Sequence, residues 1–207
     1  MDENNNIETK VIKIGLLGDG MVGKSAICNR FLGLEFTIDT ITTIGSDKFE
    51  KKIKLKNGKE IKLILWDTAG QERFRSAAFK TIKFVQGIAL VFDVSDKKSF
   101  EHIDMWLEEI KDNFENPCLV LFGNKIDKPK DQWEITRDEI NEYVKQKKLA
   151  YFETSAKDNI GIDEGLIHVA NEAYEKLESK RKANPKPKEN KIDIRKGNKI
   201  RRRKCCK

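Results

Sequence analysis

The sequence predicts an α/β fold in which a mostly parallel sheet is covered by helices on both faces. Short apolar runs, of the kind found in buried parallel strands, recur along the chain. Segments with apolar residues at helical spacing lie between them. Because neighbouring parallel strands need a crossover connection, this alternation indicates successive βαβ units.

Five apolar runs predict the parallel strands, and a hairpin predicts one antiparallel strand at the edge. The runs are Val11–Leu17, Leu63–Trp66, Ile88–Phe92, Leu119–Phe122 and a shorter one at Tyr151-Phe152. The hairpin joins residues 49–55 to residues 61–66 through Asn57-Gly58, a pair that favours a type I′ turn.

Helical spacing recurs from Phe100 to Phe114 and from Leu166 to Leu177. Thr136-Arg137-Asp138-Glu139 has the form of a capping box and predicts a helix that runs to about Lys148. Helical patterning ends near Lys182, and the following segment contains Pro and Lys with few apolar residues. We therefore expect a flexible N-terminus at 1–9, one domain at 10–182 and a disordered basic tail at 183–207.

Composition indicates a solvated globule, with 38% hydrophobic and 36% charged residues and no apolar run of membrane-spanning length. Residues 183–207 hold 11 of the 41 Lys and Arg but 2 of the 34 Asp and Glu. Their net charge is therefore +9, and residues 1–182 carry −2 of the total +7. This distribution favours a tail that meets an anionic surface and disfavours a nucleic-acid-binding face.

The N-terminus has no signal-peptide pattern, and a cytosolic protein is expected. Cys28 and Cys118 each stand alone within periodic elements, which argues against a disulfide framework. His102 and His168 lie in helical patterns and are interpreted as surface or packing residues. Neither histidine is thus expected to enter the mechanism.

Residues 18–25, Gly-Asp-Gly-Met-Val-Gly-Lys-Ser, follow the first predicted strand and fit the phosphate-binding pattern G-x-x-x-x-G-K-[ST]. Glycines permit the tight turn that aims backbone N–H groups and a helix N-terminus at one anion. Lys24 then reaches the phosphates and Ser25 offers a hydroxyl to Mg²⁺. The glycines alone also fit the dinucleotide fingerprint G-x-G-x-x-G, and a chance match is a third interpretation. Lys24-Ser25 favours the P-loop.

Asp67-Thr68-Ala69-Gly70 follows the strand that ends at Trp66, at the sheet edge where ligands bind in such folds. Asp67 is predicted to hold Mg²⁺ through water. Gly70 lets its N–H approach a terminal phosphate, so the chain can respond to whether that phosphate is present. The D-x-x-G pattern by itself is weak and gains its meaning from the P-loop before it.

Asn124-Lys125-Ile126-Asp127 follows the strand Leu119–Phe122. A carboxylate such as Asp127 can accept hydrogen bonds from N1–H and the 2-amino group of guanine, whereas adenine has no such donor pair. Thr154-Ser155-Ala156-Lys157 follows the last predicted strand and is expected to complete the base pocket. Together these segments favour GTP and GDP as ligands.

The four motifs, in this order and each at a strand end, resemble the Ras superfamily of small GTPases across about residues 10–180. Residues 66–76, Thr43-Ile44-Gly45 and Cys205-Cys206 resemble its Rab family. The resemblance implies a P-loop small-GTPase fold with a six-stranded, mostly parallel sheet and five helices. It also implies a GTP-hydrolysing molecular switch in vesicular or endosomal traffic, slow without an activating protein.

By position, the resemblance makes Gln71 the catalytic residue that orients the attacking water, and Phe36 the residue that packs on the guanine. Ser25, Thr43 and Asp67 would be the Mg²⁺ ligands, with Thr43 joining Ser25 when the γ-phosphate is present. Gly20 leaves room for the transition state. The full set expected to bind nucleotide is Gly20, Met21, Val22, Gly23, Lys24, Ser25, Ala26, Phe36, Thr43, Asp67, Gly70, Asn124, Lys125, Asp127, Ser155, Ala156 and Lys157.

Two positions depart from the Rab pattern. The usual pair of tyrosines is absent from Thr81-Ile82-Lys83-Phe84-Val85, and Lys48 stands before Phe49 where an aromatic residue is usual. These positions belong to the surface that reads partners, so the effector does not follow by analogy. The family implies a monomer that meets an exchange factor, an activating protein, a GDP dissociation inhibitor or escort protein, and effectors.

Cys205-Cys206, preceded by residues 201–204 (Arg-Arg-Arg-Lys), resembles the double-cysteine endings that Rab geranylgeranyl transferase modifies. Two lipid chains would anchor the chain to the cytoplasmic face of an intracellular or plasma membrane. A non-hydrolysing membrane scaffold is the alternative, favoured only by the altered aromatic positions. A small P-loop kinase has no support, because no acceptor-binding segment is evident.

Overall fold

The computed structural model describes residues 10–37, 43, 45–70, 79–80 and 82–183. Six strands lie within them: β1 (Val11–Leu17), β2 (Ser46–Lys54), β3 (Glu60–Thr68), β4 (Gly87–Asp93), β5 (Cys118–Asn124) and β6 (Ala150–Glu153). They form one sheet in the order β2-β3-β1-β4-β5-β6. β2 is antiparallel to β3 and every other pairing is parallel, which confirms the predicted sheet.

Most observed strands extend beyond the apolar runs that predicted them. The ladder between β2 and β3 pairs every residue from Ser46 opposite Thr68 to Lys54 opposite Glu60, including polar residues on the exposed face. At the centre, all seven residues of β4 are buried, as expected where helices cover both faces of a parallel sheet. Backbone pairing therefore decides the strand ends, and side-chain hydropathy marks the middles.

The hairpin turn differs from the type I′ turn that Asn57-Gly58 predicts. Gly58 has φ 78°, but Asn57 is not among the residues with positive φ, which a type I′ turn requires at both central positions. Gly58 N–H donates to Leu55 O (2.9 Å), and Leu55 N–H donates to Lys59 O (2.8 Å). The loop thus has three residues, and only the glycine adopts the left-handed conformation.

The helices within the described residues are α1 (Lys24–Phe31), α2 (Lys97–Glu101), α3 (Ile103–Asn113), α4 (Arg137–Lys147) and α5 (Ile162–Ala183). His102 joins α2 to α3 with right-handed torsions (φ −73°, ψ −8°), so these two segments form one interrupted helix. The described part of the chain therefore has four helices and a 3₁₀ turn at Lys130–Gln132, against the five helices expected. Residues 71–78 and 81 lie outside it.

Two apolar layers enclose the sheet. α1 and α5 cover one face through a cluster that includes Ile14, Phe31 and Val169. The interrupted helix and α4 cover the other through a cluster that includes Trp106 and Ile140. Among the described helices, none is both long and apolar enough to cross a bilayer. The carboxyl ends of β1, β3, β4 and β5 consequently remain at one open edge.

The predicted capping box is present at the start of α4. Thr136 Oγ1 accepts a hydrogen bond from Glu139 N–H (3.2 Å), and Thr136 N–H donates to Glu139 Oε2 (2.8 Å). The helix ends at Lys147, and Lys148 follows in a left-handed conformation with φ 55°. Both boundaries thus agree with the sequence prediction to within one residue.

Candidate nucleotide site

The four motif segments meet at the carboxyl edge of the sheet, where parallel strands bring their ends together. Gly18 follows β1, Asp67 lies near the end of β3, and Asn124 ends β5. Thr154 follows β6 and donates its backbone N–H to Gly123 O (2.8 Å). The order along the chain therefore becomes one continuous site in space.

The phosphate loop requires its glycines for two distinct reasons. Gly18 and Gly23 have φ 138° and 101°, in the left-handed region that strains other residues. A Cβ on Gly18 would lie 2.1 Å from Val91 O, and one on Gly23 would lie 2.3 Å from Asn124 Nδ2. The loop thus packs its backbone directly against β4 and β5, and Gly23 serves as the N-cap of α1.

Lys24 folds back over this loop and is buried. Its Nζ donates to Gly18 O (2.9 Å) and Asp19 O (2.6 Å). Burial lowers the pKa of Lys24 to about 8, against the opposing attraction of Asp67 and Asp19. An anion at the N-terminus of α1 would favour the charged amine, which is the chemistry expected of a phosphate-binding lysine.

The Asp67–Gly70 segment lies against the same loop. A Cβ on Gly70 would be 2.2 Å from Asp19 O and 2.4 Å from Lys24 Nζ. Only glycine fits this close approach of backbone to lysine. Gly70 is therefore placed where its N–H can meet whatever Lys24 binds.

Three oxygen-bearing side chains converge beside α1. Ser25 Oγ donates to Asp67 Oδ2 (2.5 Å) and lies 2.9 Å from Thr43 Oγ1, which donates to the same carboxylate oxygen (3.3 Å). The other oxygen of Asp67, Oδ1, is buried and has no hydrogen-bond partner among the described residues. Burial raises the pKa of Asp67 above its usual value.

This donor set fits Mg²⁺. Hydroxyl and carboxylate oxygens are the ligands that a hard divalent cation prefers, and a cation nearby would compensate the buried carboxylate and its unpaired oxygen. Ser25, Thr43 and Asp67, predicted together from distant parts of the sequence, are thus brought to one point.

The predicted base-recognition residues are held by contacts to neighbouring segments. Asn124 Nδ2 donates to Val22 O (2.9 Å), and Lys125 Nζ donates to Met21 O (2.7 Å), so this motif is tied to the phosphate loop. Ser155 Oγ donates to Asp127 Oδ1 (2.7 Å), which fixes the carboxylate expected to read guanine. Hydrogen bonds consequently join the segment predicted to bind the base to the predicted phosphate loop.

The remaining predicted residues have varied surroundings. Val22 and Ala156 are buried, whereas Gly20, Met21 and Lys157 are exposed. Ala26 and Phe36 are partly buried against the apolar layer that contains α1. Gln71, Cys205 and Cys206 lie outside the described residues.

Sequence reasoning missed three supporting contacts. Asp93 Oδ2, at the end of β4, lies 2.7 Å from Lys125 Nζ, and its side chain is 8% exposed. Asp19 Oδ1 accepts a hydrogen bond from Trp106 Nε1 (2.9 Å), and Thr154 Oγ1 donates to Asn124 Oδ1 (3.2 Å). The position of Asp93 directly after a predicted buried strand was the one available signal.

Asp19 has a second partner that the sequence did not reveal. His102 Nδ1, predicted to be a surface or packing residue, lies 2.5 Å from Asp19 Oδ2, with its side chain 49% exposed. Its position between α2 and α3 brings the ring to the phosphate loop. The interrupted helix therefore contacts that loop through two side chains, His102 and Trp106.

Comparison with known proteins agrees with this geometry. The model of the Ras family matches residues 13–175. The GTP-binding protein ypt2 of Schizosaccharomyces pombe is 40% identical over 78% of this chain and 80% of its own. The GTP-binding protein yptV2 of Volvox carteri is 38% identical (81% and 77%), and Ras-related protein Rab-13 of Rattus norvegicus is 35% identical (84% and 85%). The chain therefore belongs to the Ras family of small GTPases and is of the Rab type.

Proposed function

We propose that this chain is a membrane-anchored, GTP-hydrolysing switch in vesicular or endosomal traffic. The convergence of Ser25, Thr43 and Asp67 within hydrogen-bonding distance supports the nucleotide-dependent switch in this proposal. Ser25 follows the predicted phosphate-binding lysine, Thr43 is the predicted sensor of the γ-phosphate, and Asp67 lies near the end of β3. A site that only held nucleotide would have no need to engage Thr43.

Different residues of the chain bind the phosphates, the guanine base and Mg²⁺. Lys24 and the loop N–H groups hold the phosphates, and Asp127, fixed by Ser155, reads the guanine edge. Ser25, Thr43 and Asp67 would hold Mg²⁺, which when bound neutralises phosphate charge. Gln71 would orient the attacking water, so catalysis rests on positioning and electrostatics.

Switching would follow from contacts made to the γ-phosphate. GTP would order the regions around Thr43 and Gly70, and hydrolysis would release them and change the affinity for effectors. An exchange factor would load GTP, and an activating protein supplying an arginine in trans would accelerate hydrolysis. A GDP dissociation inhibitor or escort protein would carry the lipidated chain through the cytosol.

Membrane attachment would depend on Cys205 and Cys206. Double prenylation gives stable anchoring where one chain is marginal, and each nearby Lys or Arg adds up to about 1 kcal/mol at an anionic leaflet. Ser replacement of both cysteines should move the protein from membranes to the cytosol. Retention in the membrane fraction would contradict the anchor.

The metal role is tested by Ser25→Asn, with Ser179→Asn at an exposed position of α5 as the matched control. Ser25→Asn should weaken GTP binding in the presence of Mg²⁺ more than GDP binding, because GTP engages both Ser25 and Thr43. The dissociation constants of fluorescent GTP and GDP analogues provide the measurement. An equal loss for both nucleotides would count against the assignment.

Hydrolysis is tested separately by Gln71→Leu. This variant should retain GTP binding but lose single-turnover hydrolysis, with and without an activating protein, because the water is no longer oriented. A hydrolysis rate equal to that of the unmodified chain would remove Gln71 from the mechanism. The non-hydrolysing scaffold is favoured if the unmodified chain itself fails to turn over GTP.

A further inference from the structure

A second concave site lies at the amino-terminal edge of the sheet, away from the nucleotide site. It is a groove of about 290 Å³ between the segment that precedes β4, the loop from α3 to β5, and the last turns of α5. We call it the α5 groove. Its lining includes Lys83, Phe84, Phe114, Pro117, Lys176 and Lys180.

The α5 groove is positively charged. Three lysines and one glutamate, Glu115, line it, a net charge of +2. Glu115 lies 3.6 Å from Lys180 Nζ, but its side chain is 95% exposed, so solvent screens the pair. Glu178, on the same helix, is bound instead to Lys10 (2.5 Å). The lysines therefore present charge that these carboxylates do not neutralise.

An exposed aromatic ring stands beside these charges. The Phe84 side chain is 73% exposed, the highest value among the exposed large apolar residues of the described chain. Lys83 Nζ lies 5.9 Å from the centre of its ring. A bare aromatic ring flanked by long basic side chains is typical of surfaces that enter the headgroup region of a bilayer.

The groove also adjoins the point at which the tail begins. α5 ends at Ala183, and its last turn adds Arg181 and Lys182 to Lys180. The following residues, 184–207, carry a net charge of +9. Charge repulsion excludes this tail as an occupant of the groove and favours an anionic surface that both can face.

We propose that the α5 groove binds the headgroup of an anionic phospholipid and thereby orients the domain on the membrane. The lysines meet the phosphate, and Phe84 enters the interface beside them. The nucleotide site, at the opposite edge of the sheet, then faces the cytosol. This inference rests on the proposed membrane attachment, but the groove can be tested without lipidation.

The test uses the full, unlipidated chain and phosphatidylcholine vesicles with or without phosphatidylserine. Lys83→Gln with Lys180→Gln should weaken binding to the anionic vesicles by about fivefold for each lysine, from about 1 kcal/mol per charge. The matched control is Lys97→Gln with Lys98→Gln, two exposed lysines beyond the opposite end of β4. The control should bind the same vesicles as the unmodified chain does.

Two further variants separate this site from the basic tail. Phe84→Ser should weaken vesicle binding without changing any charge, and Glu115→Gln should strengthen it. Hydrogen exchange of the backbone amides of residues 83–86 and 114–116 should slow on anionic vesicles and not on neutral ones. A tail-only interaction would leave exchange in these segments unchanged and would make the two lysine pairs equivalent, which would overturn the proposal.

The same hydrogen-exchange experiment distinguishes other ligands of the α5 groove from a lipid headgroup. Equal protection by inorganic phosphate alone would identify a free-anion site, and protection by an acidic peptide but not by vesicles would identify a protein-binding surface. Either result would overturn the lipid proposal. Nucleotide binding and hydrolysis measured on the same variants report on the proposed switch independently, so failure of one proposal does not resemble failure of the other.

Discussion

Asp93→Asn is the most informative perturbation of the site, because Asp93 supports the base-recognition motif without being part of it. Its carboxylate lies 2.7 Å from Lys125 Nζ and 3.5 Å from Lys128 Nζ. Ser95 donates to it through both N–H (2.9 Å) and Oγ (2.7 Å). An amide preserves the shape but removes the charge that holds Lys125.

The expected loss of nucleotide affinity follows from the burial of Asp93. A hydrogen bond to a charged group is worth about 1.5–3 kcal/mol, and Asp93 is only 8% exposed. Lys125 is 30% exposed and keeps its bond to Met21 O, which favours the lower end. We expect the affinities for GDP and GTP to fall together by about tenfold.

Burial alone would raise the pKa of Asp93, but hydrogen bonds from Lys125 and Ser95 outweigh it and lower the pKa from 3.8. The contribution of Asp93 to the free energy of unfolding is therefore fully present above its pKa in the unfolded chain, 3.8. It is lost as the pH falls through the lower pKa of the folded chain. The difference in the free energy of unfolding between the unmodified chain and Asp93→Asn should accordingly persist at neutral pH and disappear only in acid.

Displacement of a fluorescent guanine nucleotide at neutral pH measures the loss of nucleotide affinity in Asp93→Asn. The charge-matched control is Asp112→Asn, at an exposed position of α3. The control should bind both nucleotides as tightly as the unmodified chain does. An unchanged affinity for both nucleotides in Asp93→Asn would refute the supporting role. A loss confined to GTP would also refute it, because Lys125 is assigned to the base and not to the γ-phosphate.

Three further substitutions test separate features of the fold and site. Thr136→Ala removes the N-cap of α4 and should lower the free energy of unfolding by about 1 kcal/mol in denaturant titration, while Thr136→Ser retains it. Gly165→Ala should lower the melting temperature despite its helix propensity, because its Cβ would lie 2.3 Å from Phe122 Cε1; an unchanged value would show that the ring moves freely. Thr154→Val removes the hydroxyl that binds Asn124 and should weaken GDP affinity about fivefold, from about 1 kcal/mol for one hydrogen bond. Equal affinity would show that Asn124 is held without it.

The sequence predicts the sheet and the site because both depend on local patterns. β1 coincides with its apolar run, and the segments containing Gly18, Asp67 and Asn124 each follow or end a strand. Once the strands are parallel, their carboxyl ends must meet at one edge. The convergence of Ser25 with Asp67 thus follows from pattern and topology together.

The features that the sequence did not predict depend on contacts between distant elements. The Asn57-Gly58 pair permits two turn types, and the ladder register selects the three-residue loop. The supporting roles of Asp93 and Asp19 depend on contacts with Lys125 and Trp106, which lie in other segments of the chain. Spacing along the chain contains no information on such pairs.

The hydrogen bonds from Asn124 to Val22 and from Lys125 to Met21 have a thermodynamic consequence. Because these two side chains join the predicted base pocket to the predicted phosphate loop, a ligand that orders one of them lowers the entropy cost of ordering the other. Guanosine and a polyphosphate should therefore bind cooperatively, and by linkage each should raise the affinity for the other by the same factor. The intact nucleotide then gains more than the sum of its two fragments.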